Sequence, residues 1–510
     1  MIVLRKLLLI SLFCGLCPVL FGQNQTTNLS PVIIGGNLPY QINVSVYDMG
    51  SSSPPAIQSY VSAQIGNEWL LLAGRTNGLH NFSNNGLTNF PPAAQNTTAY
   101  VINPVTKEVW GRSLNDSFAG LTTNQVDSLS STAPQSYQNG NTLYVAGGYV
   151  YNRTINDFNT FDTLTAIDVA QTMAWVKGGA GILASNIRQT NDALFQVTGG
   201  DLKLMNGRTH LIFGQNFDGP YTPGSNGIYT KQVRSFDVVD NGVSLGFTNV
   251  TMTTADDNYR RRDLNIVPIR TNGGTNEGVV ALSGVFNTNG GVWTVPVEIS
   301  TNGTPSMADP TAITTFKQGM NNYRTATASL YSGSRDESHT LLFGGISLEY
   351  YDTLTGLIVQ DDNVPFINSN SSIIRDGSGN YTQYYLGEMP SIANAMNGGS
   401  NFLFGASSDF MPVAGLPTLS NGMIDMDALT APTVIGYMFG GIAATQPNNG
   451  SSGASDVMFA ITFIPVPEPR TSIFILLVIP CLIWLLRRGK EYRCATGAHS
   501  QSGHYPSGRV

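Results

Sequence analysis

Along most of the chain, short apolar runs end in glycine and give way to polar loops rich in Asn, Thr and Gly. The runs are Trp69-Leu70-Leu71-Leu72-Ala73-Gly74, Leu143-Tyr144-Val145-Ala146-Gly147-Gly148, His210-Leu211-Ile212-Phe213-Gly214, Val279-Val280-Ala281-Leu282-Ser283-Gly284, Leu341-Leu342-Phe343-Gly344-Gly345 and Tyr437-Met438-Phe439-Gly440-Gly441. Each is too short for a buried helix and reads as a fully buried strand. The glycine permits a turn, or a close approach of backbone, that a Cβ would block. A hairpin follows several runs: residues 100–103 lead to Val109-Trp110, residues 164–168 lead to Met173-Ala174-Trp175, and residues 233–238 repeat the alternation. Another strand precedes some of them, at residues 60–64 and 325–329.

Together these elements predict a four-stranded meander per repeat, and such units stack radially as propeller blades. The apolar run, double glycine and spaced Tyr and Trp resemble the kelch repeat over most of residues 56–463. Gly74, Gly214 and Gly284 stand singly where that family prefers two glycines, and the loops are longer than usual. The resemblance implies an all-β, kelch-like propeller of about six four-stranded blades. Phe402-Leu403-Phe404-Gly405 is either the first strand of the last blade or a seventh, degenerate one. Residues 42–47 are expected to close the ring against residues 457–463, removing an open sheet edge. A β-sandwich or a β-helix is the alternative.

The two ends follow other rules. Residues 1–22 read as a secretory signal, with Arg5 and Lys6 ahead of an apolar stretch and Gly22 at the cleavage point. Residues 23–55 then form an N-terminal segment with the closing strand, and residues 56–465 form the propeller. At the far end come Val466-Pro467-Glu468-Pro469, the apolar run 471–486, and Arg487-Arg488. The run reads as a transmembrane helix whose basic end stays in the cytoplasm. Residues 466–488 resemble the PEP-CTERM sorting signal of exopolysaccharide-producing Gram-negative bacteria. That resemblance implies an exosortase as partner and an exported protein held, at least transiently, at the cell envelope. Residues 489–510 continue as a polar tail where members of that family usually stop. An ordinary single-pass anchor is therefore the alternative.

Composition narrows the chemistry. All four cysteines (Cys14, Cys17, Cys481, Cys494) lie outside residues 23–466, so a cysteine nucleophile, a zinc–thiolate site and a thiol-linked cofactor are excluded from the body. Those residues carry 18 Lys and Arg against 31 Asp and Glu, a net charge of −13. Nucleic-acid binding needs the opposite footprint. Arg260-Arg261-Arg262, the only basic run there, is flanked by Asp256, Asp257 and Asp263 and reads as a locally neutralised solvent face.

No catalytic motif emerges. His80, His210 and His339 lack metal-ligand spacing. His210 and His339 occupy equivalent repeat positions, and His80 reads as a solvated loop residue. Asp361-Asp362-Asn363 and residues 375–380 read as β-turns rather than Ca²⁺ loops. No metal or cofactor is expected. Kelch-like oxidases need a Tyr–Cys copper site, which a cysteine-free body does not provide, and no pore residue of sialic-acid mutarotase-like propellers maps onto this chain. The loops are instead aromatic: Phe217 and Tyr221 in one, Tyr350 and Tyr351 in another. Aromatic faces beside amides suit sugar rings, although the same tyrosines would also serve blade-to-blade packing. The expectation is a non-enzymatic surface or matrix protein that binds polysaccharide or surface proteins. The alternative is a carbohydrate-active enzyme, an epimerase or lyase, on the same scaffold.

Overall fold

A computed structural model describes residues 29–225, 227–271, 276–393, 401–448 and 451–467. The chain divides into two units, one of Leu38–Gln41 with Pro465–Val510, the other of the remaining residues. In the small unit, the Val466 N–H donates to the Pro39 carbonyl at 2.9 Å. The expected signal at 1–22, Glu468, Pro469, the apolar run 471–486, Arg487, Arg488 and the polar tail lie outside the described residues. Among the described residues no helix is long and apolar enough to cross a membrane.

The large unit is a β-propeller. Its first blade is Val61–Ile65, Glu68–Leu72, Thr98–Asn103 and Glu108–Ser113, an antiparallel meander. The second is Gln135–Asn139, Thr142–Ala146, Thr163–Asp168 and Ile187–Asn191. The third is Asp201–Met205, Arg208–Ile212, Val233–Asp240 and Leu245–Met252. The fourth is Asn265–Thr271, Asn276–Leu282, Val297–Ser300 and Pro305–Met307. The last is Asp409–Pro412, Thr433–Phe439, Met458–Pro465 and, outermost, Tyr40–Val46 from the start of the chain.

Among the described residues, four-stranded blades thus number five, not six. Between the fourth and the last lies a six-stranded sheet, whose middle strands Thr327–Ser332, Glu337–Leu342, Ser369–Arg375 and Tyr381–Glu388 repeat the meander. Val32–Ile34 adds in parallel to one edge, with Val32 opposite Gln383, and Ile424–Asp425 adds in parallel to the other, with Leu330 opposite Ile424. These additions are two or three residues long, too short to show a period in sequence. Phe402 to Gly405 belongs to no named strand and leads into Asp409–Pro412.

One expected hairpin is a helix. Met173 to Trp175 lie in the helix Val169–Val176, and the partner of Thr163–Asp168 is Ile187–Asn191. The Asp168 side chain accepts from the Gln171 N–H at 2.9 Å and caps the helix. Val169, Thr172, Met173, Trp175 and Val176 are its buried residues, at the three- and four-residue spacing of a helical face.

The glycines work at the junctions between sheets. Amide N–H groups of Gly74, Gly148, Gly214, Gly345 and Gly441 donate to carbonyls of Ser131, Val197, Arg261, Phe404 and Ile57, at 2.8, 2.8, 2.9, 2.8 and 2.8 Å. Each acceptor lies in the segment leading into the next sheet, and the last bond returns to the first blade. The residue before each of those glycines also has positive φ. Ala73 and Phe213 hold +63° and +56°, and Ser283 before Gly284 holds +56°. The missing second glycines are thus left-handed positions filled by other residues, with only the conformation retained.

A second set of left-handed residues stands two or three positions ahead of each innermost strand. Ser59, Ala133, Gly199, Asp263, Arg324 and Ser407 have φ between +47° and +67°. Backbone bonds link them around the axis: Ala133 donates to Ser59, Gly199 to Ala133, Asp263 to Gly199, Ser59 to Ser407 and Ser407 to Arg324. Farther along the inner strands, Gln138 accepts from the Gln64 N–H at 2.7 Å and donates to the Gln64 carbonyl at 2.9 Å. Gln64 in turn donates to the Pro412 carbonyl at 2.9 Å. Buried apolar residues fill the space between sheets, as Trp69, Tyr60, Tyr437 and Phe439 do between the last blade and the first.

Candidate functional site: the axial mouth and its aromatic rim

The two left-handed sets meet at one end of the axis. The residue after each glycine pair bridges to the residue before each ring position: Arg75 to Gln58, Tyr149 to Thr132, Gln215 to Thr198, Val285 to Arg262 and Ile346 to Tyr323. These pairs border the mouth, polar on one side and apolar on the other. Arg75, buried, donates to Asn77 Oδ1 at 2.9 Å and to the Pro91 carbonyl at 3.1 Å, and its guanidinium lies 5.0 Å from the Phe90 ring centre. Burial pushes its pKa down to about 10. Arg262 Nε donates to the Tyr229 hydroxyl at 3.1 Å, and its Nη1 pairs with the Asp263 carboxylate. Burial raises the Tyr323 hydroxyl beyond its ordinary range, with the Asp263 charge adding to the effect.

The rim beside the mouth is aromatic. The His80 ring stacks on Phe90 with centroids 5.2 Å apart and meets Phe82 and Tyr221 edge-on at 4.7 and 4.6 Å. Tyr149, Phe158 and Phe217 pack beneath it. The Tyr149 hydroxyl donates to the Gly219 carbonyl at 2.8 Å and accepts from the Tyr221 N–H at 3.1 Å. Phe82 is 47 % exposed, while Phe217 is buried.

His80 is therefore half-buried among rings rather than solvated. Loss of hydration pushes its pKa down to about 4, with the Arg262 and Arg75 charges acting in the same sense. The unfolded chain protonates this histidine near pH 6.5 and the folded chain only near 4, so in that window the unfolded state binds more protons. His80 thus removes stability as pH falls from 6.5 to 4. Glu349 acts oppositely: burial raises its carboxyl to about 7, so it adds stability as pH falls from 7 toward 4.5. Relative to wild type, His80→Gln is expected to gain about 2 kcal/mol in stability on going from pH 7 to 4.5. Thermal melts across that range check it, and parallel curves for the two proteins would refute it.

Of the four predicted loop residues, the structure brings Phe217 and Tyr221 together, with ring centroids 5.3 Å apart. Tyr350 and Tyr351 lie elsewhere, in the strand Glu349–Asp352, where Tyr351 stacks on Tyr385 at 4.2 Å. The Tyr385 hydroxyl donates to Glu388 at 3.0 Å. His210 and His339 are both fully buried at the third position of second strands. The Asp361 and Asp376 carboxylates accept from amides two to four residues on, the chemistry of turns. Among the described residues no cluster of His, Cys, Asp and Glu suits a metal.

Arg260-Arg261-Arg262 is not a solvent face. The three guanidinium groups lie over Tyr229, Trp293 and Phe286 at 3.9, 4.5 and 5.1 Å from the ring centres. Arg261 is fully buried. Sequence reasoning missed Arg75, Tyr229, Arg262, Asp263 and Tyr323 at the mouth. One signal was present: Arg75 and Tyr149 directly follow the glycine of their repeats, and that position faces the mouth.

Two surface grooves complete the picture. One of about 330 Å³ is lined by Asp192, Ala193, Leu194, Arg234, Phe247, Val250 and Met252. The other, of about 370 Å³, lies between Gly227, Ile228, Tyr229, Thr230, Lys231, Ala255 and Arg260, beside the mouth.

No protein-family model and no curated protein matches the chain. Among solved structures, one titled "Structure of YjhT" is similar over 82 % of this chain and 98 % of its own, at 11 % identity and a TM-score of 0.44.

Proposed function

We propose that the chain is an exported, cell-surface β-propeller that binds polysaccharide or a surface protein through its loop face, after sorting by an exosortase-type system. The supporting observation is the rim of His80, Phe82, Phe90 and Tyr221, where an exposed ring adjoins half-buried ones and nearby amides. Such a surface offers C–H stacking and hydrogen bonding to a sugar together. On this reading the apolar sequence 471–486 tethers the protein to the membrane until the sorting signal is cut. Retention of the purified full chain on a polysaccharide column tests the reading. Phe82→Ala and Tyr221→Ala are expected to weaken it about fivefold each, since a lost stack is worth about 1 kcal/mol. Wild-type protein that passes unretained over glycans and native matrix alike would overturn it. An intact Arg487-Arg488 in the mature protein, read by mass spectrometry, would overturn the exosortase step.

A carbohydrate-active enzyme, an epimerase or lyase, is the second reading. It is favoured by Arg75, Arg262 and Asp263 at the mouth lying within electrostatic reach of His80 on the rim. Turnover of a sugar that Arg262→Gln abolishes would establish it.

A further inference from the structure

The groove between Tyr229 and Arg260 differs in chemistry from the aromatic rim. Arg260 is held flat, its guanidinium carbon 3.9 Å from the centre of the Tyr229 ring. Its Nη1 donates to the carbonyls of Phe286 and Asn287. That leaves the Nε/Nη2 edge with no acceptor among the described residues, and no carboxylate there forms an ion pair with it. A guanidinium fixed in this way has lost little freedom still to lose, and its free edge matches the two oxygens of a carboxylate. Lys231 stands at the rim of the same groove, 2.5 Å from Asp257, a carboxylate largely exposed to solvent. Asp256 lies beside it, its N–H donating to the Lys231 carbonyl at 3.0 Å, so two cations face two acids and the groove is near neutral on a body of −13. Thr230, only 8 % exposed, also lines the groove, and its buried hydroxyl has no hydrogen-bond partner among the described residues. The volume of about 370 Å³ falls in the range of small-ligand sites.

We infer that this groove is a subsite for a carboxylate-bearing sugar, a uronic acid unit within a longer glycan. The carboxylate pairs with the open edge of Arg260, and Lys231 adds long-range attraction. The inference rests on the glycan-binding reading above and names the acidic class that the groove selects.

The probe is tri-galacturonate, compared with the neutral galactose trimer, titrated into the full chain at low and moderate salt. Trp293 reports the event, because its Nε1–H donates to the Arg260 carbonyl at 2.7 Å. The acidic trimer is expected to bind at least tenfold tighter than the neutral one, and salt is expected to erode the difference. Arg260→Gln should remove that preference and leave neutral binding at the rim unchanged. Lys231→Gln, a rim substitution that spares the stack, should reduce it about threefold. Equal affinity for both trimers, or a preference that survives Arg260→Gln, overturns the subsite and leaves the rim reading standing. Binding of neither trimer, together with no retention on any glycan, overturns both.

Discussion

Gly147→Ala is expected to destabilise the protein by about 4 kcal/mol or to abolish folding, whereas Gly140→Ala should cost only about 1 kcal/mol. Both glycines have positive φ, +66° and +57°. The penalty for placing a Cβ in that conformation is therefore common to both. At Gly140 an added Cβ meets nothing within 4 Å. At Gly147 it would lie 2.1 Å from the Val197 carbonyl oxygen and 2.6 Å from that of Phe195. These are backbone atoms of the next blade, fixed by the bond from the Gly148 N–H to the same Val197 oxygen. They move only if the two sheets separate. Denaturant titration of the two variants decides the matter, and equal losses would show that the junction is looser than its distances.

Arg261 carries the second large effect. Its side chain is fully buried, with Nε donating to Asn258, Nη1 to Ser283 and Nη2 approaching Met307 Sδ at 3.2, 3.3 and 3.0 Å. No carboxylate among the described residues pairs with it, and burial lowers its pKa to about 9. What it contributes is volume, contact with Trp293 and hydrogen bonds to two backbone carbonyls, with no ion pair. Arg261→Ala should therefore cost about 4 kcal/mol, the scale of emptying a large buried site. Arg261→Met fills most of that volume and strands no opposing charge. It is expected to fall within about 1 kcal/mol of wild type or to exceed it. A Met variant as unstable as the Ala variant would assign the effect to charge instead.

Much of the second-strand framework was legible because apolar runs ending in glycine have a strong period. What escaped was whatever depended on non-local contact. The six-stranded sheet is completed by residues 32–34 and 424–425, far apart in sequence, and neither fragment carries a pattern of its own. Helix Val169–Val176 looked like a strand because Met173-Ala174-Trp175 is apolar, and the Asp168 cap was the local cue against that reading. Arg260 to Arg262 looked solvated because flanking aspartates balance the charge. Their aromatic partners, Tyr229, Trp293 and Phe286, lie up to 32 positions away, and no rule of charge spacing finds them. Phe217 and Tyr221 were picked out as an aromatic loop and do join one cluster. The groups that set its electrostatics, Arg75 and Arg262, come from blades that only the closed ring brings near.

The run of backbone bonds from Asp263 through Gly199, Ala133, Ser59 and Ser407 to Arg324 also sets an order of assembly. Its bond from Ser59 to Ser407 spans nearly 350 positions, and residues 42–46 find their neighbours only in the strand Met458–Pro465. The opening stretch of the chain must therefore wait, with its edge unsatisfied, until almost all the rest has been made. Early blades can form as they emerge, since their strands are consecutive. The seam is the slow step, where loop-closure entropy is greatest. A chain cut short before residue 458 keeps good local meanders and leaves the strand Tyr40–Val46 without its neighbour.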